Sequence, residues 1–276
     1  METTRQTDYS RLDRPEILAF LFHPRPEWRR PGQPEDPGSI MIPVAAGESI
    51  GARFHVAGTD APTILFFHGN GEIVSDYDEL GPLYNRLGIN FFPVDYRGYG
   101  RSTGRPTVSA MMKDCHEIFN FVTRWLDDNK CKGPLIIMGR SLGSASALEL
   151  AEFYSERIDG LIIESGFAFA GPLMELLGID LAAIRFNESV GFRNADKIKH
   201  VRKPTLIIHA EHDHIIPFSD GQFLYDACPS TEKHLLKIPR ANHNDIFSRA
   251  LEDYLEAVKA LTEKSTNAWK KRTCGT

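Results

Sequence analysis

Ser141 lies in Gly139-Arg140-Ser141-Leu142-Gly143, between the apolar run Pro134–Met138 and the small residues Ser144–Ala147. A serine hydroxyl is a weak nucleophile near neutral pH. It needs a base within hydrogen-bond reach and a third group to orient that base. Gly-x-Ser-x-Gly between a strand and a helix is the pattern of a nucleophile elbow. Gly139 and Gly143 lack Cβ, so strand and helix can close on the turn. The small residues after them keep the first helical turn thin. The plain alternative is a strand-helix turn with a capping serine, and partners later in the chain argue against it.

Those partners appear in order. Asp213 follows the apolar run Thr205–His209 by four residues and precedes Ile215-Ile216-Pro217. There it can accept a hydrogen bond from an imidazole and fix its tautomer. Glu164, ending Leu161-Ile162-Ile163-Glu164-Ser165, is the second choice of acid, and Glu211 a weaker third. His243, in Ile238-Pro239-Arg240-Ala241-Asn242-His243, is the candidate base, with Asn244 or Asp245 available to cap the helix behind it. Nucleophile, acid and base then run in the order Ser141, Asp213, His243. An acyl-transfer transition state also needs donors for its oxyanion. The N–H of Leu142 is one. The other is assigned to Asn70, with Gly71 as fallback, in His68-Gly69-Asn70-Gly71-Glu72. His68 reads as a structural residue bonding the loop backbone.

Two further clusters are read without chemistry. His209, His212 and His214 surround Glu211 and Asp213, but no His-x-x-x-His helix spacing is present. They read as loop side chains near the mouth of a site, and neither metal nor cofactor is expected. Asp95-Tyr96-Arg97-Gly98-Tyr99-Gly100-Arg101-Ser102 is glycine-rich but lacks the Gly-Lys-Ser/Thr ending of a phosphate loop. It reads as a turn in which Arg97 and Asp95 pair locally.

The elements that must position these residues alternate along the chain. Strands are expected at Ser39–Val44, Gly51–Val56, Pro62–Phe67, Ile89–Tyr96, Pro134–Met138, Gly160–Glu164, Thr205–His209 and His234–Ile238. Short apolar runs without alternation suit strands covered on both faces of a mostly parallel sheet. Val108–Asp127 carries a helical stripe of Met111, Cys115, Ile118, Val122 and Trp125. Ile246–Lys264 carries another, of Phe247, Leu251, Tyr254, Val258 and Leu261. Strands joined by such helices form right-handed crossovers in a doubly wound α/β sheet, whose ligands bind beyond the carboxyl ends of the strands. The segment 167–200 is longer than one connection requires. Its stretch Leu173–Phe186 is apolar nearly all round and reads as a small cap over the site. The division is therefore an arm over 1–38, in which Pro24–Gly38 is extended, a domain over 39–264, and a tail over 265–276.

A formal net charge of −5 and a pI near 6.1 exclude the basic surplus of a nucleic-acid binder. Cys115, Cys131, Cys228 and Cys274 are scattered without a Cys-x-x-Cys pair, which suits a reducing compartment. Met1–Arg14 is polar, and Ile17–Phe22 is too short for a signal peptide's apolar region. No stretch reaches the length of a membrane span, so a cytoplasmic location is expected. The sequence does not indicate an oligomeric state.

Phe66-Phe67-His68-Gly69-Asn70-Gly71-Glu72, Asp95-Tyr96-Arg97-Gly98-Tyr99-Gly100, Gly139-Arg140-Ser141-Leu142-Gly143, the run Lys203–Pro217 and Ala241-Asn242-His243-Asn244-Asp245 together resemble the α/β-hydrolase superfamily of serine hydrolases. Within it they look most like the α/β-hydrolase-domain branch that contains animal protein depalmitoylases and their bacterial relatives. The likeness runs from about Ser39 to Lys264. It implies an α/β-hydrolase fold, with Ser141 as nucleophile, Asp213 as acid, His243 as base and Asn70 and Leu142 as oxyanion donors. His209-Ala210 stands where the family often has His-Gly, a near-isosteric change. The depalmitoylases carry a cysteine-rich, lipidated N-terminus, whereas Met1–Pro37 has no cysteine. The resemblance therefore does not bring membrane anchoring or palmitoyl-protein substrates with it. The expected activity is hydrolysis of a small-molecule acyl ester or thioester through an acyl-enzyme. A serine peptidase or acyltransferase on the same triad is the nearest rival. A silent hydrolase-like binding protein is the rival from another class.

Overall fold

The structure, a computed structural model, describes residues 7–28, 30, 32 and 36–273. Its centre is a sheet of eight strands: β1 (Ser39–Ala45), β2 (Glu48–Arg53), β3 (Thr63–Phe67), β4 (Asn90–Val94), β5 (Leu135–Arg140), β6 (Gly160–Glu164), β7 (Thr205–Ala210) and β8 (Lys233–Ile238). Their order across the sheet is β1-β2-β4-β3-β5-β6-β7-β8. β1 and β2 form the expected antiparallel pair, β2 meets β4 antiparallel, and the remaining pairings are parallel. The sheet is open, and its mostly parallel character is the one read from the apolar runs.

The strand period sorts side chains into two cores. Leu65, Phe67, Ile137, Ile163 and Ile207 pack on one face, under α3 (Val108–Asp128), α4 (Gly143–Phe153) and α7 (Phe218–Ala227). Their neighbours Ile64, Phe66, Ile136, Ile162 and Leu206 pack on the other, under α2 (Leu80–Arg86) and α8 (Ile246–Thr273). Successive residues of a strand point to opposite faces, so strands covered by helices on both sides must be apolar throughout. The expected stripe of α3 turns inward, with Met111, Cys115, Ile118 and Val122 buried and Trp125 half-buried. Thr107 starts this helix by accepting the Ala110 N–H at 3.0 Å. Cys115, Cys131 and Cys228 are buried free thiols, and Cys274 lies outside the described residues.

Two segments differ from the expected divisions. The region before Ser39 is not merely an extended arm. It contains α1 (Pro15–Leu21), and Tyr9, Leu12, Ile17, Leu21 and Phe22 are buried in the same core as the sheet. The tail after Lys264 is not separate either. α8 continues to Thr273 after a kink at Ala250. Gly160 leaves room for Ser265, and Arg272 reaches the Asp159 carboxylate at 2.6 Å. These tertiary contacts hold the last turns helical.

The segment 167–200 is the one read as a cap. It is assembled from α5 (Ala170–Leu176), turns, and α6 (Asn194–Lys197). Gly178, at φ +81°, ends the run begun by α5. Glu188 closes the cap by accepting the Ala170 and Gly171 N–H groups at 3.1 and 2.7 Å. Of its apolar residues Met174 and Ile179 are buried, while Leu176 is exposed.

Candidate active site

The turn after β5 has the backbone of an elbow. Ser141 has φ +50°, a left-handed conformation that costs a non-glycine residue roughly 1–2 kcal/mol. Its neighbours leave no alternative path. A Cβ on Gly139 would sit 2.3 Å from the Gly143 carbonyl oxygen, and one on Gly143 would sit 2.1 Å from the Phe67 carbonyl oxygen. The Ser141 N–H donates to the Glu164 carbonyl at 2.8 Å, and the Ser144 hydroxyl to the Ser141 carbonyl at 2.6 Å. Neighbouring strand ends and the helix thus hold the turn from three sides.

The three side chains expected to work together do meet. His243 Nε2 lies 3.0 Å from Ser141 Oγ, and His243 Nδ1 lies 2.7 Å from Asp213 Oδ2. Asp213 sits in the loop after β7, and its Oδ1 accepts the Ile215 and Ile216 N–H groups at 3.0 and 2.8 Å. Burial alone would raise its pKa. The His243 contact and the two amides more than offset this, and the carboxyl titrates below its ordinary range. Asp213 is therefore ionised and can accept from Nδ1–H, leaving Nε2 to face the serine hydroxyl. His209 supports the same loop, its buried Nε2–H donating to the Ile216 carbonyl at 2.8 Å. Burial lowers the His209 pKa, so the ring beside Asp213 is neutral and does not compete as a counter-ion.

The loop after β3 abuts the start of α4, where the Leu142 N–H precedes the first helical turn. Its conformation is fixed from several directions. Gly71 has φ +77°. The Asn70 side-chain oxygen accepts the His23 N–H at 2.8 Å and the Tyr99 hydroxyl at 2.7 Å, and its amide nitrogen meets His23 Nδ1 at 2.8 Å. Arg25 Nε donates to the Gly71 carbonyl at 2.7 Å, and its guanidinium pairs with Asp76. With its side chain so engaged, Asn70 can offer its main-chain N–H to a ligand. His68 has the structural place expected of it, Nδ1 2.7 Å from the Gly69 carbonyl and Nε2 3.3 Å from Asp95.

Other assignments divide. Glu164 does not serve as the acid: it binds Arg140 Nη1 and the Tyr254 hydroxyl, each at 2.8 Å. Glu211 binds Lys237 at 2.8 Å, away from the triad. His212 and His214 are exposed, as expected of loop residues. The predicted Arg97–Asp95 pair is absent. Asp95 instead accepts the Val74 N–H at 2.9 Å, and Arg97 forks onto Asp114 of α3 at 2.7 and 2.8 Å. Asp245 does not cap α8 through its side chain. It accepts the Asn242 N–H at 2.6 Å and pairs with Arg249. Sequence reasoning missed the N-terminal strap over Asn70 and the buried Arg140. The one signal for the latter was a charged residue inside an otherwise small and apolar elbow.

Beside Asp213 a cavity of about 290 Å³ opens between the cap and the loop after β7, lined by Phe167, Phe169, Leu173, Leu176, Ile215 and Pro217. Asp220 also borders it, but its carboxylate already accepts the Ala168 and Phe169 N–H groups at 2.8 and 3.4 Å. Among the described residues no group of three or more His, Cys, Asp or Glu could hold a metal ion. No helix among them is long and apolar enough to cross a membrane.

Comparison with known proteins agrees with this architecture. Residues 58–191 match the family described as serine aminopeptidase, S33 (Hydrolase_4). The chain is 31% identical over 211 residues to the α/β-hydrolase domain-containing protein aho-3 of Caenorhabditis elegans, covering 75% of this chain and 59% of that protein. It is 30% identical over 253 residues to α/β-hydrolase domain-containing protein 17C of Mus musculus, covering 89% and 74%. Against aho-3 and the Schizosaccharomyces pombe protein bem46 the match spans 59% and 62% of the relative's length. Two solved structures share the fold. Ferulic-acid-bound Est1E of Butyrivibrio proteoclasticus has a TM-score of 0.67 at 18% identity, over 83% of this chain and 99% of that one. The monoacylglycerol lipase of Paleococcus ferrophilus has 0.61 at 17%, over 78% and 99%. The chain belongs to the α/β-hydrolase superfamily, in its branch of α/β-hydrolase-domain proteins.

Proposed function

We propose that the protein is a serine hydrolase that cleaves carboxylic ester or thioester bonds of small acyl substrates. The observation that carries this reading is His243, with one ring nitrogen 3.0 Å from Ser141 Oγ and the other 2.7 Å from Asp213. In this reading Ser141 Oγ attacks the substrate carbonyl while His243 Nε2 takes its proton. Asp213 holds the ring tautomer and stabilises the imidazolium. The N–H groups of Asn70 and Leu142 receive the developing oxyanion. His243 then protonates the leaving group, and the acyl-enzyme is hydrolysed by a water that His243 activates. No cofactor takes part in these steps.

The apolar cavity favours an acyl group over a peptide. An aminopeptidase must hold the free α-ammonium of its substrate. The two carboxylates bordering the cavity, Asp213 and Asp220, are already committed to His243 and to backbone amides. A fluorophosphonate probe tests the reading. Wild-type protein should label covalently, and Ser141→Ala should not. Ester turnover should fall by about 10⁴-fold or more in Ser141→Ala and by a similar order in His243→Ala. Folded wild-type protein that fails to label would instead favour a silent binding protein.

A further inference from the structure

Arg140 occupies the variable position of the elbow, directly before the candidate nucleophile, and its side chain is only 8% exposed. Its guanidinium reaches four places at once. Nε donates to Glu72 Oε1 at 2.8 Å and Nη1 to Glu164 Oε1 at 2.8 Å. Nη2 donates to the His243 carbonyl at 3.0 Å and lies 3.4 Å from Asn244 Oδ1. The partners are anchored in turn. Glu72 Oε2 accepts the Gly69 N–H and the Tyr77 hydroxyl, each at 2.6 Å. Arg140 and Glu164 are register partners in β5 and β6. Arg140 thus ties the Asn70 loop, the elbow, the end of β6 and the loop of the candidate base to one rigid plane.

Stability alone is a poor reason for this arrangement. A buried cation between carboxylates often contributes no more than a well-packed apolar group of the same size. The arrangement does fix distances. The parts of an acyl-transfer site come from segments far apart in the chain, and misplacing one by about 1 Å can cost about 100-fold in rate. Arg140 bonds the main chain of His243 and the loop of Asn70 while being covalently next to Ser141.

We propose that Arg140 is a positioning residue that sets the separation of base, nucleophile and oxyanion loop. The proposal rests on the serine-hydrolase reading and deepens it. Lysine is the informative replacement. It keeps a cation between Glu72 and Glu164, so the carboxylates are not left unpaired, but it lacks the planar fork needed to reach the His243 carbonyl as well.

The test is turnover of a p-nitrophenyl ester by the full chain, normalised to sites titrated with a fluorophosphonate. Misfolded molecules do not titrate and drop out of the comparison. Arg140→Lys should keep KM within about threefold while kcat per titrated site falls by about tenfold, and Arg140→Gln should lose about 100-fold. A purely structural role predicts fewer titrated sites and a lower Tm with kcat per site unchanged. A fall in kcat per site of less than about threefold in Arg140→Lys would overturn the proposal, as would a loss confined to KM. Wild-type protein that does not titrate at all would overturn the hydrolase reading itself, a distinguishable result.

Discussion

Two buried ionic clusters use the same chemistry for different ends. The first is Arg140 with Glu72 and Glu164, at the rim of the sheet. The second lies among α3, α4, α6 and the N-terminal segment. There Lys197 Nζ is 2.5 Å from Glu149 Oε2 and donates to the Tyr9 hydroxyl at 3.1 Å. His116 Nε2 meets the other Glu149 oxygen at 3.3 Å. Lys197 is 1% exposed. In both clusters burial works against the carboxylate, and cationic partners offset it. The result holds Glu72 and Glu149 each down to about pKa 2. The difference lies in what each cluster is bonded to. The first touches the main chain of His243 and the loop of Asn70, and the second pins the Tyr9 segment and α6 against α4. Similar energetics should therefore surface as rate in one cluster and as folding in the other.

The hardest test of this contrast is Lys197→Met. It removes the cation nearest to the buried Glu149 and should destabilise the fold by about 3–5 kcal/mol in urea titrations. Ester turnover per titrated site should stay at the wild-type value. A loss there comparable to that of Arg140→Gln would erase the distinction.

Acid sharpens it next. Both carboxylates have depressed folded-state pKa values, against an ordinary 4.5. Their stabilisation is complete above about pH 4.5 and is lost as the pH falls toward 2. Glu149→Gln should therefore flatten the fall of stability between those limits, measured by circular dichroism. An unchanged slope would show that Glu149 is not linked to folding.

The smallest effect belongs to the strap. Arg25 is 45% exposed, donates to the Gly71 carbonyl and pairs with Asp76. Arg25→Ala should cost under about 1 kcal/mol of stability and about threefold in kcat/KM. A much larger rate loss would make the strap, rather than Arg140, the principal support of the Asn70 loop.

How much of this was legible in the sequence follows from the range of the interactions. Thr63–Phe67 and Gly160–Glu164 announced themselves because a strand buried on both faces has to be apolar at every position. The elbow was legible because its glycines answer clashes within a few residues and with the adjoining strand. Asp213 and His243 could be placed because each follows a recognisable strand. The partners of Arg140 could not: they lie 68, 24 and 103 residues away, and nothing local selects them. The partner of Arg97 was hidden for the same reason: Asp114 lies 17 residues along the chain, while the sequence neighbour Asp95 turns to the Val74 N–H. The end of α8 was set too early because Ser265-Thr266-Asn267 form helices poorly in isolation, a preference that packing against β6 overrides.

The left-handed backbone at Ser141 carries one more consequence. Alanine and glycine would both silence the hydroxyl, but only glycine is at ease at φ +50°. Ser141→Gly should melt at least as high as Ser141→Ala despite the extra freedom glycine gives the unfolded chain. If it does, the tension in this turn belongs to the side chain's presence rather than to its chemistry. The molecule would then be holding its hydroxyl out toward solvent against a constant pull to relax.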